Sequence, residues 1–337
     1  MSTEAFFPYP IRLRPCSAAS VTTVQAVARD WFSRATSRSQ DWPVDRLLAA
    51  KAAHRISVVI PARNEQATIG PIVAGIRSTL QDRQRLVDEL VVIDSDSTDN
   101  TAALAAEAGA IVHAARNIRP DLGSNHGKGE ALWKSLFVTS GDLLVFIDGD
   151  LTEWGPHFVV GLLGPLLAAP HIQLVKGFYD RVTDDGLQGH APQGGRVTEL
   201  VARPLLNLYR PDLAGVVQPL AGEWAIRRSA FESLSVPTGY GVEIASLLDI
   251  YARDGLDAIA QVDLGERAHS HQSVHDLGLM AAELIAVTAR RLGFADEPAD
   301  LLWQFSRASQ PAEQNWTPRR VPTLERSPAV NSLAARC

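Results

Sequence analysis

Asp148 and Asp150 stand one residue apart at the end of the apolar run Leu143-Leu-Val-Phe-Ile147. Side chains at i and i+2 of an extended segment point the same way, and Gly149 between them lets the chain turn and a ligand approach. Two hard carboxylates presented together suit magnesium or manganese, and a divalent cation there can grip a diphosphate. Short Asp-x-Asp matches are common, and most are solvated turn residues, so the pair takes its meaning from its company.

Two further loops follow apolar runs in the same way, Pro61-Ala-Arg-Asn-Glu65 and Asp94-Ser-Asp-Ser-Thr-Asp99. Asn64 and Glu65 could meet a base or a ribose hydroxyl, or Asn64 could simply cap the next helix; Ser97 or Asp99 could equally be an N-cap. Lys128, between Gly127 and Gly129 ahead of a helix, could bring an ammonium to a phosphate on a flexible loop, beside the free amides of the helix start. A solvated lysine in a glycine turn is the bland alternative. Gly194-Gly-Arg-Val-Thr198 repeats the design: glycines admit a ligand to the backbone, Arg196 can clamp an oxyanion and Thr198 adds a hydroxyl. His269 and His271, two apart after an apolar run, can face one ligand or complete a metal shell. Glu243 opens an amphipathic segment, as a carboxylate for the reaction or as charge complementing a helix start.

These residues need a frame, and the hydrophobic periodicity supplies one. Strands are expected at residues 56–60, 90–93, 110–113, 143–147 and 259–264, and helices at 67–80, 101–108, 129–138 and 158–167. Such alternation predicts an α/β fold with a mostly parallel sheet flanked by helices, where ligands collect at the carboxyl ends of the strands. Further helices are expected at 21–37, 44–53 and 277–292. The expected organisation is a helical extension over 1–54, a first α/β part over 55–155 that carries the strand-end loops, a smaller part over 156–296 and a tail over 297–337. Residues 184–193 read as a mobile loop that could close over substrate, and 311–337 as a loosely ordered tail.

Composition is that of an ordinary soluble protein: 337 residues, 46% hydrophobic, 21% charged, net charge -6. The acidic balance argues against nucleic acid as a partner. With only Cys16 and Cys337, neither a disulfide framework nor a cysteine zinc site is available, and a reducing cytoplasm is the expected setting. No membrane span, export signal or anchor is read.

The motifs together resemble a family. Ser57-Val-Val-Ile-Pro-Ala-Arg-Asn-Glu65, Val92-Ile-Asp-Ser-Asp-Ser-Thr-Asp99 and Phe146-Ile-Asp-Gly-Asp150 resemble the nucleotide-sugar half of a GT-A-type (Rossmann-like) glycosyltransferase. The segments 126–135, 194–204, 218–223 and 239–244 are similar to the retaining glucosyl-3-phosphoglycerate synthases and the related mannosyl-3-phosphoglycerate synthases, over roughly residues 50 to 293. The resemblance implies a nucleotide-diphosphate sugar held by Pro61, Ala62, Arg63, Glu65, Ser95, Lys128, Asp148, Gly149 and Asp150. It implies 3-phosphoglycerate at Gly195, Arg196, Val197, Thr198, Arg267 and His271. Mg2+ or Mn2+ would sit on Asp150 and His269, with Asp150, Glu243 and Lys128 serving the reaction in a homodimer. Gly149 stands where the glucosyl enzymes commonly carry serine, and Gln272 where they carry arginine. These departures tip the expected donor slightly towards mannose, GDP- or UDP-linked. A sugar-phosphate nucleotidyltransferase and a non-catalytic nucleotide-sugar-binding regulator are the competing readings; Pro61-Ala-Arg-Asn-Glu65 is a poor version of the nucleotidyltransferase loop, and fold alone does not fix activity.

Overall fold

The computed structural model describes residues 18–182, 195–268, 273–294, 300–307 and 314–333. The apolar runs form the strands of one sheet: β1 (Thr36–Arg38), β2 (Ile56–Ala62), β3 (Glu89–Asp94), β4 (Ile111–Ala114), β5 (Leu143–Phe146), β6 (Leu174–Val182) and β7 (Trp224–Arg227). After the short β8 (Val236–Pro237), which pairs elsewhere, β9 (Ile259–Ala268) completes it. The order is β1-β9-β6-β7-β5-β2-β3-β4, and every neighbouring pair is parallel except the two that β7 makes. Ile56, Val58, Val59, Ile60 and the whole of β5 are fully buried, as strands covered on both faces must be. Each such side chain contributes roughly 2 kcal/mol by leaving water.

The helices are α1 (Ala18–Ala35), α2 (Val44–Lys51), α3 (Ile69–Ile76), α4 (Thr101–Glu107), α5 (Lys128–Ser135), α6 (His157–Ala168), α7 (Arg203–Tyr209), α8 (Arg228–Glu232), α9 (Val242–Asp254), α10 (Val274–Leu292) and α11 (Ala329–Leu333). Two buried apolar clusters lie on the two sides of the sheet, split by strand alternation. Val59, Val91, Leu144 and Phe146 belong to one, while Val58, Ile60, Val92 and Val145 belong to the other.

The expected strands and helices of residues 56–167 are present, with ends shifted by a few residues; α3 stops at Ile76 and the chain continues as a wider turn over Arg77–Arg83. The N-terminal stretch is more than a helical extension, since β1 adds an edge strand beside β9 and buried Trp31 donates to Ile259 O at 3.1 Å. The expectation of a loose tail is corrected. β10 (Leu301–Arg307) and β11 (Gln314–Arg320) form a hairpin, β12 (Glu325–Arg326) pairs with β8, and Val321 and Ala329 are buried. Proline and arginine gave that segment a disordered composition, but its charged residues find partners: Glu325 pairs with Arg290 and Arg291 of α10, and Arg326 with Glu130. The expected lid over 184–193 lies outside the described residues. No helix among the described residues is long and apolar enough to cross a membrane.

Candidate active site

Parallel strands β2, β3 and β5 end side by side, so their loops share one rim. Asn64 and Asp96, both with positive φ (58° and 59°), turn the first two loops. Asn64 accepts from Thr98 N at 2.8 Å, and its own N–H donates to Ser97 Oγ at 2.9 Å. Asn64 therefore locks loop to loop and does not cap the next helix, whose N-cap position is Thr68. Asp99 accepts from Thr101 N at 3.0 Å from one residue ahead of the N-cap position, which Asn100 and not Asp99 occupies.

Pro61, Ala62, Arg63, Glu65, Ser95, Lys128, Asp148, Gly149 and Asp150 line one cleft of about 250 Å³, together with Gly127 and Tyr240. The structure thus brings together all nine residues of the expected donor set. Tyr240 was not singled out, although it lies in the 239–244 segment. A Cβ on Gly149 would meet Pro61 O at 3.2 Å and Glu65 Cγ at 3.4 Å, so the glycine seats the Asp pair against the first loop.

Beneath the cleft lies a buried charge cluster. Lys128 donates to Asp148 Oδ1 at 2.5 Å and pairs with Glu243 Oε1 at 2.7 Å. Arg267, at the end of β9 and buried, reaches Asp150 Oδ1 at 3.0 Å, Asp148 Oδ2 at 3.6 Å, Glu223 Oε1 at 3.1 Å and the Tyr179 hydroxyl at 2.5 Å. Arg267, expected on the acceptor side, here contacts both carboxylates of the Asp pair as well as Glu223 and Tyr179. Both aspartates face one cation, as the i, i+2 spacing requires. Lys176 on β6, which no motif had marked, is fully buried and donates to Ala221 O at 2.7 Å. Gly222 was also missed, and a Cβ there would fall 2.1 Å from Asp148 Oδ2.

The titration of these groups reports their neighbours. Burial works against charge on Lys128, yet Asp148 and Glu243 hold its pKa above the usual lysine range. Burial lowers Lys176 to about 8. Burial also opposes charge on Asp148, but Lys128 and Arg267 outweigh it and its carboxyl is held low. Asp150 goes the other way, raised by burial and by Asp148. Glu65 is pushed up to about 7 by burial and by Asp150, Asp148 and Asp99, and burial raises Glu223. Among the described residues, five carboxylates (Glu65, Asp148, Asp150, Glu223, Glu243) thus face four cations (Lys128, Lys176, Arg267 and, on the cleft wall, the exposed Arg63). The carboxylates nearest the cleft are the under-compensated ones. That arrangement fits a divalent cation, which would offset the remaining negative charge at the Asp pair. Asp150 is its available ligand, with 38% of its side chain exposed; His269, the other expected ligand, and His271 lie outside the described residues.

Two expectations about the lysine loop are corrected. Gly127 and Gly129 are not there for flexibility: a Cβ on Gly127 would sit 2.4 Å from Thr238 O, and one on Gly129 would sit 1.8 Å from Pro237 O. The amides of the helix start are not free either, since Gly129 N donates to Gly239 O at 3.0 Å and Glu130 N to Thr238 O at 2.8 Å. The Gly195, Arg196, Val197 and Thr198 run opens a helical segment packed against α10, with Val197 and Thr198 buried. It does not border the cleft among the described residues.

The glycosyl transferase family 2 profile matches residues 57–234. Glucosyl-3-phosphoglycerate synthase of Mycobacterium tuberculosis (strain H37Rv) is 51% identical over 263 residues, which are 77% of this chain and 80% of that protein. The chain belongs to glycosyl transferase family 2 and to the glucosyl-3-phosphoglycerate synthase family. Another member, glucosyl-3-phosphoglycerate synthase of Mycolicibacterium paratuberculosis, is 44% identical over 310 residues, 91% of this chain and 93% of its own. The mostly parallel sheet is the GT-A fold of this family. A crystal structure of the M. tuberculosis glucosyl-3-phosphoglycerate synthase in complex with Mn2+, UDP-Glc and phosphoglyceric acid matches with a TM-score of 0.76 at 45% identity, covering 86% of this chain and 95% of that one.

Proposed function

We propose that this chain transfers the glucosyl group of UDP-glucose to 3-phosphoglycerate with retention at the anomeric carbon, using Mg2+ or Mn2+ held by Asp150 and His269. The observation that carries the reading is the cleft at the ends of β2, β3 and β5, with carboxylates in excess over cations, in a chain half identical to glucosyl-3-phosphoglycerate synthases. When bound, the cation offsets the negative charge that grows on the departing diphosphate.

The chain's own residues do the rest. Glu65 and the first loop take the ribose and base, with Ser95 beside them. Lys128, on the cleft wall and held in its charged form, adds a fixed positive charge where the leaving phosphate develops its own. Arg267 keeps Asp148 and Asp150 oriented. Gly195, Arg196, Val197 and Thr198, with His271, receive the phosphate of the acceptor. Glu243 serves better as an orienting group than as a nucleophile, because its carboxylate is already paired with Lys128 and only 4% of the residue is exposed. Wild-type protein quenched during turnover that carries no sugar on Glu243 by mass spectrometry supports that assignment, and a glycosylated Glu243 would reverse it.

Glucose is favoured over mannose. The comparison with glucosyl-3-phosphoglycerate synthases at half identity outweighs Gly149 and Gln272, which had tipped the sequence reading towards mannose. The Gly149 difference faces Pro61 and Glu65, on the nucleotide side of the cleft, where it has no direct lever on the sugar. We carry the homodimer as a further part of the reading; the exposed Leu301 and Trp303 of the β10–β11 hairpin are apolar surface for it, and light scattering tests it. The donor assignment is tested by supplying 3-phosphoglycerate, a divalent cation and UDP- or GDP-linked glucose or mannose. Glucosyl product from UDP-glucose is expected, and preferential use of a mannosyl donor would reverse it.

A further inference from the structure

Lys128 sits at the first position of α5, a helix start with no side-chain cap. An uncapped start leaves amides in need of acceptors, and here they come from Thr238 and Gly239, the turn that leads into Tyr240 and Glu243. The turn is itself held from the far end of the chain: β12 pairs with β8, Thr238 N donates to Leu324 O at 3.0 Å, and Trp133 Nε1 donates to Ser327 O at 3.0 Å.

Arg326 is the hub of this attachment. Its Nε and Nη2 give two parallel hydrogen bonds, both 2.7 Å, to the two oxygens of Glu130, a fully buried carboxylate two residues beyond Lys128. The same guanidinium donates to Leu122 O at 2.8 Å and Gly123 O at 3.3 Å, and lies 5.0 Å over the Trp133 ring. Glu130 Oε1 also accepts from Asn125 N at 3.2 Å. One side chain thus fixes the loop entering α5, the first turn of α5 and, through β12, the turn bearing Tyr240. A bidentate arginine–carboxylate pair sets direction as well as distance. Glu283 braces the same turn from α10, accepting from Gly241 N at 2.9 Å.

We propose that Arg326 is a positioning residue: it acts through Glu130 to hold Lys128, and through the β12–β8 pairing to hold Tyr240 and Glu243, in register with the Asp pair. Among the described residues, the hydrogen bonds and ring contact of Arg326 reach none that lines the cleft. Its effect on turnover rests on the proposed glucosyl transfer; its effect on the geometry of α5 does not.

The test uses the full chain and three variants, Arg326→Ala, Arg326→Lys and Glu130→Gln. Hydrogen exchange is followed at segments 125–131 and 236–243, alongside kcat and KM with UDP-glucose and 3-phosphoglycerate. Arg326→Ala should speed exchange of the Gly129 and Glu130 amides by about tenfold or more while β2 and β3 stay protected, because a local opening need not spread to the core. Its kcat should fall about ten- to a hundredfold, the scale of a small misplacement, with KM for UDP-glucose within about twofold. Arg326→Lys, which keeps the charge but not the fork, should fall between. Wild-type exchange and kcat in Arg326→Ala would overturn the proposal. So would exchange that rises throughout the sheet in step with lost activity, which marks a purely structural residue. Should Arg326→Ala not fold, the same criteria apply to Arg326→Lys and Glu130→Gln, and wild-type behaviour in both overturns it. If the wild-type chain makes no glucosyl product, the transfer reading fails and the exchange pattern still decides the positioning claim.

Discussion

Two buried polar clusters lie on either side of Lys128, and they are built on opposite principles. Around Glu130 the acceptor oxygens are met by a bidentate arginine and a backbone amide, with Lys134 nearby at 3.7 Å. Around Asp148 and Asp150 the carboxylates outnumber the cations, and Asp150 and Glu65 are pushed upward by burial and by neighbouring carboxylates, which Arg267 and Lys128 only partly offset at Asp150. A polar cluster that closes its own hydrogen bonds rigidifies a fold; one that leaves charge open beside a cleft is prepared for a ligand. Lys128 belongs to both, with its backbone anchored in the first and its ammonium in the second.

Breaking the open cluster should give the largest effect. Asp150→Ala should lower transfer by about a thousandfold or more while the chain stays folded, since Arg267 keeps Asp148 and Glu223 as partners. A thermal melt alongside a UDP-release assay checks both halves. Lys128→Met joins the two clusters in one failure. It should cost about a hundredfold in kcat and also about 3 kcal/mol of stability, because Asp148 and Glu243 lose their shared buried cation; chemical denaturation separates the two losses.

How much of this was legible in the sequence follows the same division. The strand-end loops were readable because strand periodicity and i, i+2 spacing are local, so Asp148, Asp150, Glu65 and Ser95 could be placed on one rim from order alone. β7 was not readable: it enters antiparallel between β5 and β6 after a long excursion, and only tertiary pairing places it. Lys176, Glu223 and Gly222 surround the Asp pair from strands and turns distant in sequence; the 218–223 segment was marked only by resemblance, and nothing adjacent to Lys176 signals its place. Arg326 was hidden in a proline- and arginine-rich stretch whose composition reads as disorder, since its partner Glu130 lies 196 residues away. Gly127 and Gly129 were noticed for the wrong reason, because close packing and flexibility leave the same letter.

A smaller effect sharpens the closed side. Glu283, buried under the Tyr240 turn, is raised to about 7 from its ordinary value, chiefly by burial. Between about pH 4.5 and 7 the unfolded chain ionises this residue and the folded chain does not, so the fold holds the extra proton and loses stability as pH rises through that window. Glu283→Gln keeps an acceptor for Gly241 N and removes this dependence. Its melting temperature should drop less than that of the wild type between pH 5 and pH 8. The smallest change is expected from Gly149→Ser: the added Cβ meets Pro61 O at 3.2 Å and needs only a slight shift, so KM for UDP-glucose should move by less than about threefold, a cost near 0.6 kcal/mol.

On the proposed reading the open cluster holds a diphosphate and a cation while an acceptor takes the sugar, and UDP release measures this most directly. Wild-type protein with UDP-glucose should release UDP at a rate that requires both 3-phosphoglycerate and Mg2+ or Mn2+, with the glucosyl product retaining its anomeric configuration by NMR. UDP release that is indifferent to 3-phosphoglycerate, or that persists in full after the cation is chelated, would contradict the account.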